Sequence, residues 1–226
     1  MPRPLPGIVV ALVVIVALLC AAYRRNTVWH DASLLLRDII GKSPRKARAY
    51  SNLGMVLLAQ RRYEQAVQAL NMAIALRPSE PDFFINRGYV YSEMDNPALA
   101  LQEFDRALAL DPRNYKALHN KGMVYGKLGR YADAVAQFSK ALDIEPKAAL
   151  IYGNRGIAYE LLGDKQRAFE DLSHAILLDE YDVGAYGARG NLYLQKGDVV
   201  SAANDFRKCC SLGDRNCCLM VHQVGQ

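Results

Sequence analysis

Apolar and small residues recur along most of the chain in a pattern with a period of 34 residues. In residues 115–148 the apolar side chains lie three and four positions apart, which predicts two short amphipathic helices joined by a turn at Gly129. Position 8 of the pattern is always Gly and position 20 is always Ala: Gly54, Gly88, Gly122, Gly156, Gly190, Ala66, Ala100, Ala134, Ala168 and Ala202. Two helices can cross closely only where the side chains are small. Each unit is therefore predicted to be a helical hairpin.

This register gives five full units, at residues 47–80, 81–114, 115–148, 149–182 and 183–216. Large residues at positions 11 and 24, such as Tyr125 and Phe138, are expected to fill the space beside the small ones. Residues 27–41 match the second helix of an earlier unit and predict a lone helix within 26–46. Residues 217–224 predict a short capping helix within 217–226.

A 34-residue helical hairpin with this pattern resembles the tetratricopeptide repeat family, over about residues 27–224. The resemblance implies an all-α fold, a right-handed superhelix whose groove is lined by the first helix of each unit. Residues 24–54, RRNTVWHDASLLLRDIIGKSPRKARAYSNLG, are similar to the junction between the last membrane helix and the repeats in O-mannosyltransferase-like membrane proteins. In that family the repeats lie outside the cytoplasm. The polytopic catalytic part of such proteins has no counterpart in these residues.

Residues 7–23 carry no charge and consist mainly of Val, Leu, Ile and Ala, close to the length that crosses a bilayer. They favour an uncleaved single-pass anchor within 1–25, with a signal peptide cut near Cys20 or a lipoprotein as alternatives. Arg24 and Arg25 outweigh Arg3 and favour a cytoplasmic carboxyl side. The family resemblance and the cysteines favour the exoplasmic side, the periplasmic face of a bacterial inner membrane. We expect the second orientation.

Position 7, normally apolar in this repeat, is basic in the last four units, and position 23 changes with it. An arginine at position 7 comes with an acid at position 23 three times, whereas Leu53 comes with Ala69. Half-buried ion pairs between the two helices of a unit are therefore predicted: Arg87–Glu103, Arg155–Asp171 and Arg189–Asp205. The alternative is two unrelated columns of solvated side chains.

Position 6 of four units is an asparagine: Asn52, Asn86, Asn120 and Asn154. An amide both donates and accepts hydrogen bonds, so such a row can hold an extended peptide backbone without reading its sequence. The row resembles the asparagine ladder of O-linked N-acetylglucosamine transferase. The alternative is that each asparagine bonds the neighbouring repeat. The other predicted groove residues are Tyr89, Lys116, His119, Met123 and Asn191, with Arg48, Ser51, Met55, Ile85 and Ile157 around them.

Four of the five cysteines lie in KCCSLGDRNCCLM, near the carboxyl end. The spacing of Cys210 and Cys218 resembles that of the bridges that link helices in cysteine-rich, disulfide-bonded bacterial repeat proteins. That resemblance implies a disulfide here, and Cys209 with Cys217 has the same spacing. Free buried thiols and a metal site with His222 are the alternatives. A disulfide would require an oxidising compartment.

The net charge of +5 is spread among acidic residues without a basic stripe, which argues against nucleic-acid binding. The four histidines lie on different units, and no acid–nucleophile grouping, phosphate loop or metal quartet accompanies them. The sequence thus indicates no enzyme, cofactor or metal. It favours a membrane-anchored scaffold or adaptor that binds a partner protein or extended peptide in its groove. The alternatives are an accessory or substrate-recruiting subunit of a membrane glycosyltransferase and a structural spacer.

Overall fold

The computed structural model of the protein describes residues 32–224. These residues form twelve α-helices and no β-strand. The helices are α1 Ala32–Lys42, α2 Ala47–Ala59, α3 Tyr63–Leu76, α4 Pro81–Glu93, α5 Pro97–Leu110, α6 Tyr115–Lys127, α7 Tyr131–Ile144, α8 Ala149–Leu161, α9 Lys165–Leu178, α10 Val183–Gln195, α11 Val199–Ser211 and α12 Arg215–Val224. We call α2, α4, α6, α8 and α10 the A helices and α3, α5, α7, α9 and α11 the B helices.

The chain forms two compact units, which divide between Val90 and Tyr91, inside α4. In the first unit, α1 packs on α2 and α2 on α3, around Leu53, Leu57 and Leu70. In the second unit, each A helix packs on the B helix that follows it, and α12 packs on α11. Phe138, Leu172 and Phe206 lie at the centres of the successive core clusters of this unit.

The small residues lie where α2 crosses α3, α6 crosses α7, α8 crosses α9 and α10 crosses α11. Every alanine at position 20 is fully buried. A Cβ on Gly122 would approach the Phe138 ring to 2.6 Å, and one on Gly156 would approach Leu172 Cγ to 2.8 Å. A side chain at position 8 would therefore force the two backbones apart, as the sequence pattern predicts.

The turn from A helix to B helix needs a left-handed backbone at position 15. Gly129, Gly163 and Gly197 supply it in the last three repeats, with φ of 71°, 85° and 79°. Arg61 and Asp95 adopt the same conformation in the first two repeats, with φ of 58° and 55°. Since a non-glycine residue pays a steric cost there, these two turns are the more strained ones.

The two ends of the array differ from the predictions in detail. The lone helix predicted at 27–41 is α1 in the described residues, and its first predicted residues, 27–31, lie outside them. The cap helix begins at Arg215, two residues earlier than expected, because Asp214 Oδ1 accepts a hydrogen bond from the backbone N–H of Cys217 at 2.8 Å.

Within residues 32–224, no helix combines the length and the apolar character that crossing a membrane requires. The anchor predicted at 7–23 lies outside the described residues.

Candidate functional site: the A-helix surface

Position 9 of three A helices, α4, α6 and α8, carries an exposed apolar side chain. Met123 on α6 is 38% exposed and Ile157 on α8 is 37% exposed, and both belong to the second unit. In the first unit, Tyr89 on α4 is 42% exposed at the same position. Large apolar side chains that recur on one face without cover from the protein indicate an interaction surface.

Between α6 and α8, Met123 and Ile157 line an open cavity of about 260 Å³. Phe138 of α7 and Ala158 form its apolar lining together with Leu161, which is 55% exposed. The polar groups around the cavity are Lys127, Tyr131 and Asn154. An apolar cleft with a few polar groups at its edge is typical of a site that takes an apolar side chain and fixes the backbone beside it.

Two of the four ladder asparagines bond the preceding A helix. Asn154 Nδ2 lies 2.8 Å from His119 Nε2 in the second unit. Asn86 Nδ2 donates to Ser51 Oγ at 3.0 Å in the first unit. Both contacts join position 6 of one repeat to position 5 of the repeat before it. For these two residues the structure therefore has the inter-repeat bond that was the alternative to ligand contact.

The other two ladder asparagines have free amides. Asn52 is exposed and Asn120 is half-buried, and neither side chain bonds another residue within 32–224. The ladder is thus of two kinds, with amides at Asn52 and Asn120 available to a ligand.

The remaining predicted groove residues differ in accessibility. Lys116 and Asn191 are exposed, whereas Ile85 is buried, with only 5% of its surface exposed. The expectation that Ile85 lines the groove is therefore wrong, because its side chain packs inward from α4. His119 is half-buried beside the Phe138 ring, 5.8 Å between centroids, and burial lowers its pKa below the ordinary value of 6.5.

Two of the predicted ion pairs have the same geometry in the fourth and fifth repeats. Arg155 donates to both carboxylate oxygens of Asp171, at 2.7 and 2.9 Å. Arg189 does the same to Asp205, at 2.8 and 2.9 Å, and these hydrogen bonds raise the pKa of Arg189 although burial opposes the shift. The carboxylate side chains are 10% and 8% exposed.

Each arginine also reaches the B helix of the preceding repeat at position 25, which the sequence analysis did not anticipate. Arg155 Nη1 donates to Ser139 Oγ at 3.0 Å, and Arg189 Nη1 donates to Ser173 Oγ at 3.2 Å. In the same way Lys121 Nζ donates to Asp105 at 2.5 Å. The guanidinium group of Arg155 or Arg189 therefore links three helices: its own A helix, the B helix of the same repeat and the B helix of the preceding repeat. The signal was present in the sequence as a polar column at position 25: Asn71, Asp105, Ser139 and Ser173.

The third predicted pair, Arg87 with Glu103, would join residues of the two compact units and stays a prediction. Arg87 Nη1 donates to Asn71 at 2.6 Å, the position-25 contact of the first unit. Glu103 is 2% exposed and accepts from Arg106 Nη1 at 2.7 Å.

The four carboxyl-terminal cysteines form two disulfides between α11 and α12. Cys209 pairs with Cys217 and Cys210 with Cys218, at Sγ–Sγ distances of 2.05 and 1.97 Å. Cys209, Asp214 and Cys217 bring possible metal-ligand atoms within 4.8 Å of one another, but the disulfide leaves this group no thiolate. His222, the residue of the metal alternative, is exposed and lies outside this group.

Models of the tetratricopeptide repeat match this chain at residues 47–80, 81–114, 115–148, 149–182 and 183–212. Among solved structures, PilF of Pseudomonas aeruginosa superposes with a TM-score of 0.74 at 23% identity, covering 82% of this chain and 85% of PilF. YrrB, described as a tetratricopeptide repeat protein with an unusual peptide-binding site, superposes at 0.60 and 19% identity over 83% and 97% of the two chains. Identities this low show the common fold alone.

Two curated relatives are Drosophila melanogaster proteins. Protein O-mannosyl-transferase Tmtc2 is 46% identical over 63 residues, and Tmtc1 is 44% identical over 64. The match covers 28% of this chain in each case, but only 6% and 7% of the relatives, so the similarity concerns a small part of those proteins. With five matched repeats and the small-residue crossings of its helices, the chain belongs to the tetratricopeptide repeat family.

Proposed function

We propose that this protein is a membrane-tethered scaffold that binds an extended segment of a partner protein along its A helices. The observation that carries the proposal is the cavity between α6 and α8, where Met123 and Ile157 are exposed beside Asn154. An apolar side chain of the partner enters this cavity. The free amide of Asn120, in the same unit as the cavity, holds the partner's backbone.

The membrane tether is residues 7–23, and the repeats lie on the exoplasmic side. Support for the tether comes from the uncharged apolar run itself. Support for the orientation comes from the two disulfides, since such bonds persist in oxidising compartments. Mass spectrometry of protein isolated without reductant tests the orientation. Four alkylatable thiols in that protein would contradict it.

Site-specific photocrosslinking in native membranes tests the binding surface. A photoreactive amino acid at Met123 should give a discrete crosslinked adduct, and the same group at Lys140, an exposed residue of α7, should not. Adding Ile157→Asp should remove the adduct, because a carboxylate in the apolar cavity excludes the partner's side chain. Asn120→Ala should weaken capture without lowering the melting temperature. An adduct that survives Ile157→Asp would remove this cavity from consideration.

A second candidate is an accessory subunit that recruits substrate to a membrane glycosyltransferase. The similarity to the two O-mannosyl-transferases favours it, although it covers only a small part of each. Identification of the crosslinked partner separates the candidates. A polytopic glycosyltransferase in the Met123 adduct supports the second, and a protein of another class supports a general scaffold.

A further inference from the structure

In the fourth and in the fifth repeat, the side chains of four register positions form a cage around the guanidinium group of the arginine at position 7. Position 7 supplies Arg155, position 23 the carboxylate of Asp171, and position 25 of the preceding repeat the hydroxyl of Ser139. The rings at positions 4 and 11, Tyr152 and Tyr159, lie 5.5 and 5.9 Å from the guanidinium carbon. The fifth repeat has the same cage, formed by Tyr186, Arg189, Tyr193, Asp205 and Ser173.

In the first repeat the same five positions are differently occupied. Position 7 is Leu53, position 11 is Leu57 and position 23 is Ala69, so the guanidinium, one ring and the carboxylate are absent. Only Tyr50 at position 4 is unchanged. Position 25 of the preceding half-repeat is Arg37 of α1, an arginine where the later repeats have serine. These truncations leave an open cavity of about 450 Å³, lined by all five residues.

The cavity is cationic. Among residues 32–224, the charged side chains that line it are Arg37 and Arg62, and none of the lining side chains in that range is acidic. Arg37 is exposed and forms no hydrogen bond or ion pair with another residue of 32–224. Arg62 bonds only the neutral amides of Gln60 and Gln65 in the described structure. Both guanidinium groups can therefore accept an anion without breaking an ion pair.

The charge of the whole first unit agrees with that of its cavity. Residues 32–90 contain nine Lys and Arg against four Asp and Glu, a net charge of +5. Residues 91–224 contain sixteen against eighteen, a net charge of −2. An acidic ligand is therefore attracted to the first unit rather than to the second.

We propose that this cavity binds an acidic segment of a partner protein, a carboxylate side chain next to an apolar one. The partner's carboxylate occupies the space that Asp171 fills in the fourth repeat and accepts hydrogen bonds from Arg37 and Arg62. The adjoining apolar side chain rests on Leu53, Leu57 and the exposed Met72. This site involves α1, α2 and α3 and is separate from the cavity between α6 and α8.

Fluorescence anisotropy with a labelled peptide of repeated Gly-Leu-Glu units tests the proposal. The full chain is reconstituted in phosphatidylcholine nanodiscs, which carry no net charge. The expected result is saturable binding that falls at least about tenfold in Arg37→Gln/Arg62→Gln, because each guanidinium contributes a charge-assisted hydrogen bond. The matching peptide with Gln in place of Glu should not bind.

Two further variants complete the design. Arg207→Gln/Arg130→Gln changes arginines at the same register positions, 25 and 16, in later repeats, and should leave the affinity unchanged. Leu53→Arg/Ala69→Asp rebuilds the ion pair of the later repeats inside the cavity. It should abolish binding while circular dichroism and the melting temperature show an intact fold.

Undiminished binding by either Arg37→Gln/Arg62→Gln or Leu53→Arg/Ala69→Asp would overturn the proposal. So would equal binding of the Gln peptide. Phosphatidylglycerol vesicles give a further test, as an anionic membrane surface is the competing ligand. Arg37-dependent binding of these vesicles with no binding of the peptide would assign the cavity to a lipid headgroup instead. Met123 and Ile157 variants should not affect peptide binding, which keeps this test independent of the A-helix surface.

Discussion

The same space between the two helices of a hairpin has opposite chemistry in the first repeat and in the last two. In the fourth and fifth repeats, a half-buried arginine binds a carboxylate and a serine, and two tyrosine rings lie near its guanidinium group. In the first, Leu53 and Ala69 leave a cavity with arginines at its edge. One backbone pattern therefore supports either a closed polar clamp or an open cationic pocket.

The comparison separates what the fold requires from what it tolerates. The glycine at position 8 and the alanine at position 20 are present in every repeat, because the helix crossing depends on them. The ion pair between positions 7 and 23 is dispensable, since α2 and α3 pack in the first repeat without it. A buried ion pair fixes geometry more than it adds stability, so a repeat can lose both partners together and keep its fold.

The two units also close their ends differently. In the described part of the first unit, the first helix is α1, whose Leu36 and Ile40 pack against the apolar core cluster of α2 and α3. The second ends in α12, which two disulfides tie to α11. A terminal helix has a neighbour on one side only, so it needs some compensation. The disulfides supply it at the carboxyl end.

Removing one partner of the ion pair between positions 7 and 23 should lower the free energy of unfolding most. Arg155→Leu leaves the carboxylate of Asp171 buried without its counter-charge, which costs about 3–5 kcal/mol. Arg155→Leu/Asp171→Ala reproduces positions 7 and 23 of the first repeat and should recover most of this, leaving about 1–2 kcal/mol for the cavity. Urea unfolding gives the totals, and hydrogen exchange of α9 amides localises the loss, as repeat arrays open locally.

The corresponding change in the first repeat is the control for this prediction. Leu53→Ala removes apolar atoms without leaving a buried charge, and should cost about 2–3 kcal/mol with no rescue by a change at Ala69. If Arg155→Leu and the double variant were equally unstable, Arg155 and Asp171 would not be energetically coupled. The contrast between clamp and pocket would then be one of volume alone.

Reduction of the disulfides should have the next largest effect, confined to the end of the second unit. Each bond closes a loop of eight-residue separation, which corresponds to about 2–3 kcal/mol in the loop-entropy treatment. Amide exchange in α12 should accelerate on addition of reductant, while that in α1 and α2 stays unchanged. Cys209→Ser/Cys217→Ser and Cys210→Ser/Cys218→Ser separate the two bonds. Unchanged protection of α12 in the reduced protein would show that packing alone holds it.

The fold could be predicted from the sequence because its determinants repeat. Five glycines and five alanines at a constant spacing define the helix crossings, and the pairing of Arg155 with Asp171 follows from the covariation of two columns within one repeat. Contacts between repeats were harder to anticipate. The bond from Arg155 to Ser139 depends on how consecutive hairpins stack, which hydrophobic periodicity within a hairpin does not specify.

The candidate site was predictable only in its location on the A helices. Whether a ladder asparagine is bonded depends on position 5 of the preceding repeat, which is Ser51 for Asn86 and His119 for Asn154. That choice makes Asn86 and Asn154 structural and leaves Asn120 available. The cavity of the first repeat needed coordinates as well, because Arg37 enters it from a helix that belongs to no full repeat.

The smallest expected effect is that of pH on stability. It distinguishes the Asn154 contact of the second unit from the Asn86 contact of the first. Asn154 bonds His119, a titratable group, whereas Asn86 bonds the hydroxyl of Ser51. Burial lowers the pKa of His119 in the folded protein, so between pH 6.5 and that lower value the unfolded chain binds more protons. This contribution to stability is complete above pH 6.5 and is lost as the pH falls.

Melting curves at several pH values on either side of 6.5 measure this effect against His119→Gln, which keeps a hydrogen-bond acceptor but cannot titrate in this range. The wild type should lose more stability than the variant on acidification, and the difference should localise to α6 and α8 in hydrogen exchange. The other three histidines are present in both proteins, so they do not cause a difference between them. Identical acid sensitivity of the two proteins would show that His119 protonates without cost, and the contacts of Asn154 and Asn86 would then be equivalent.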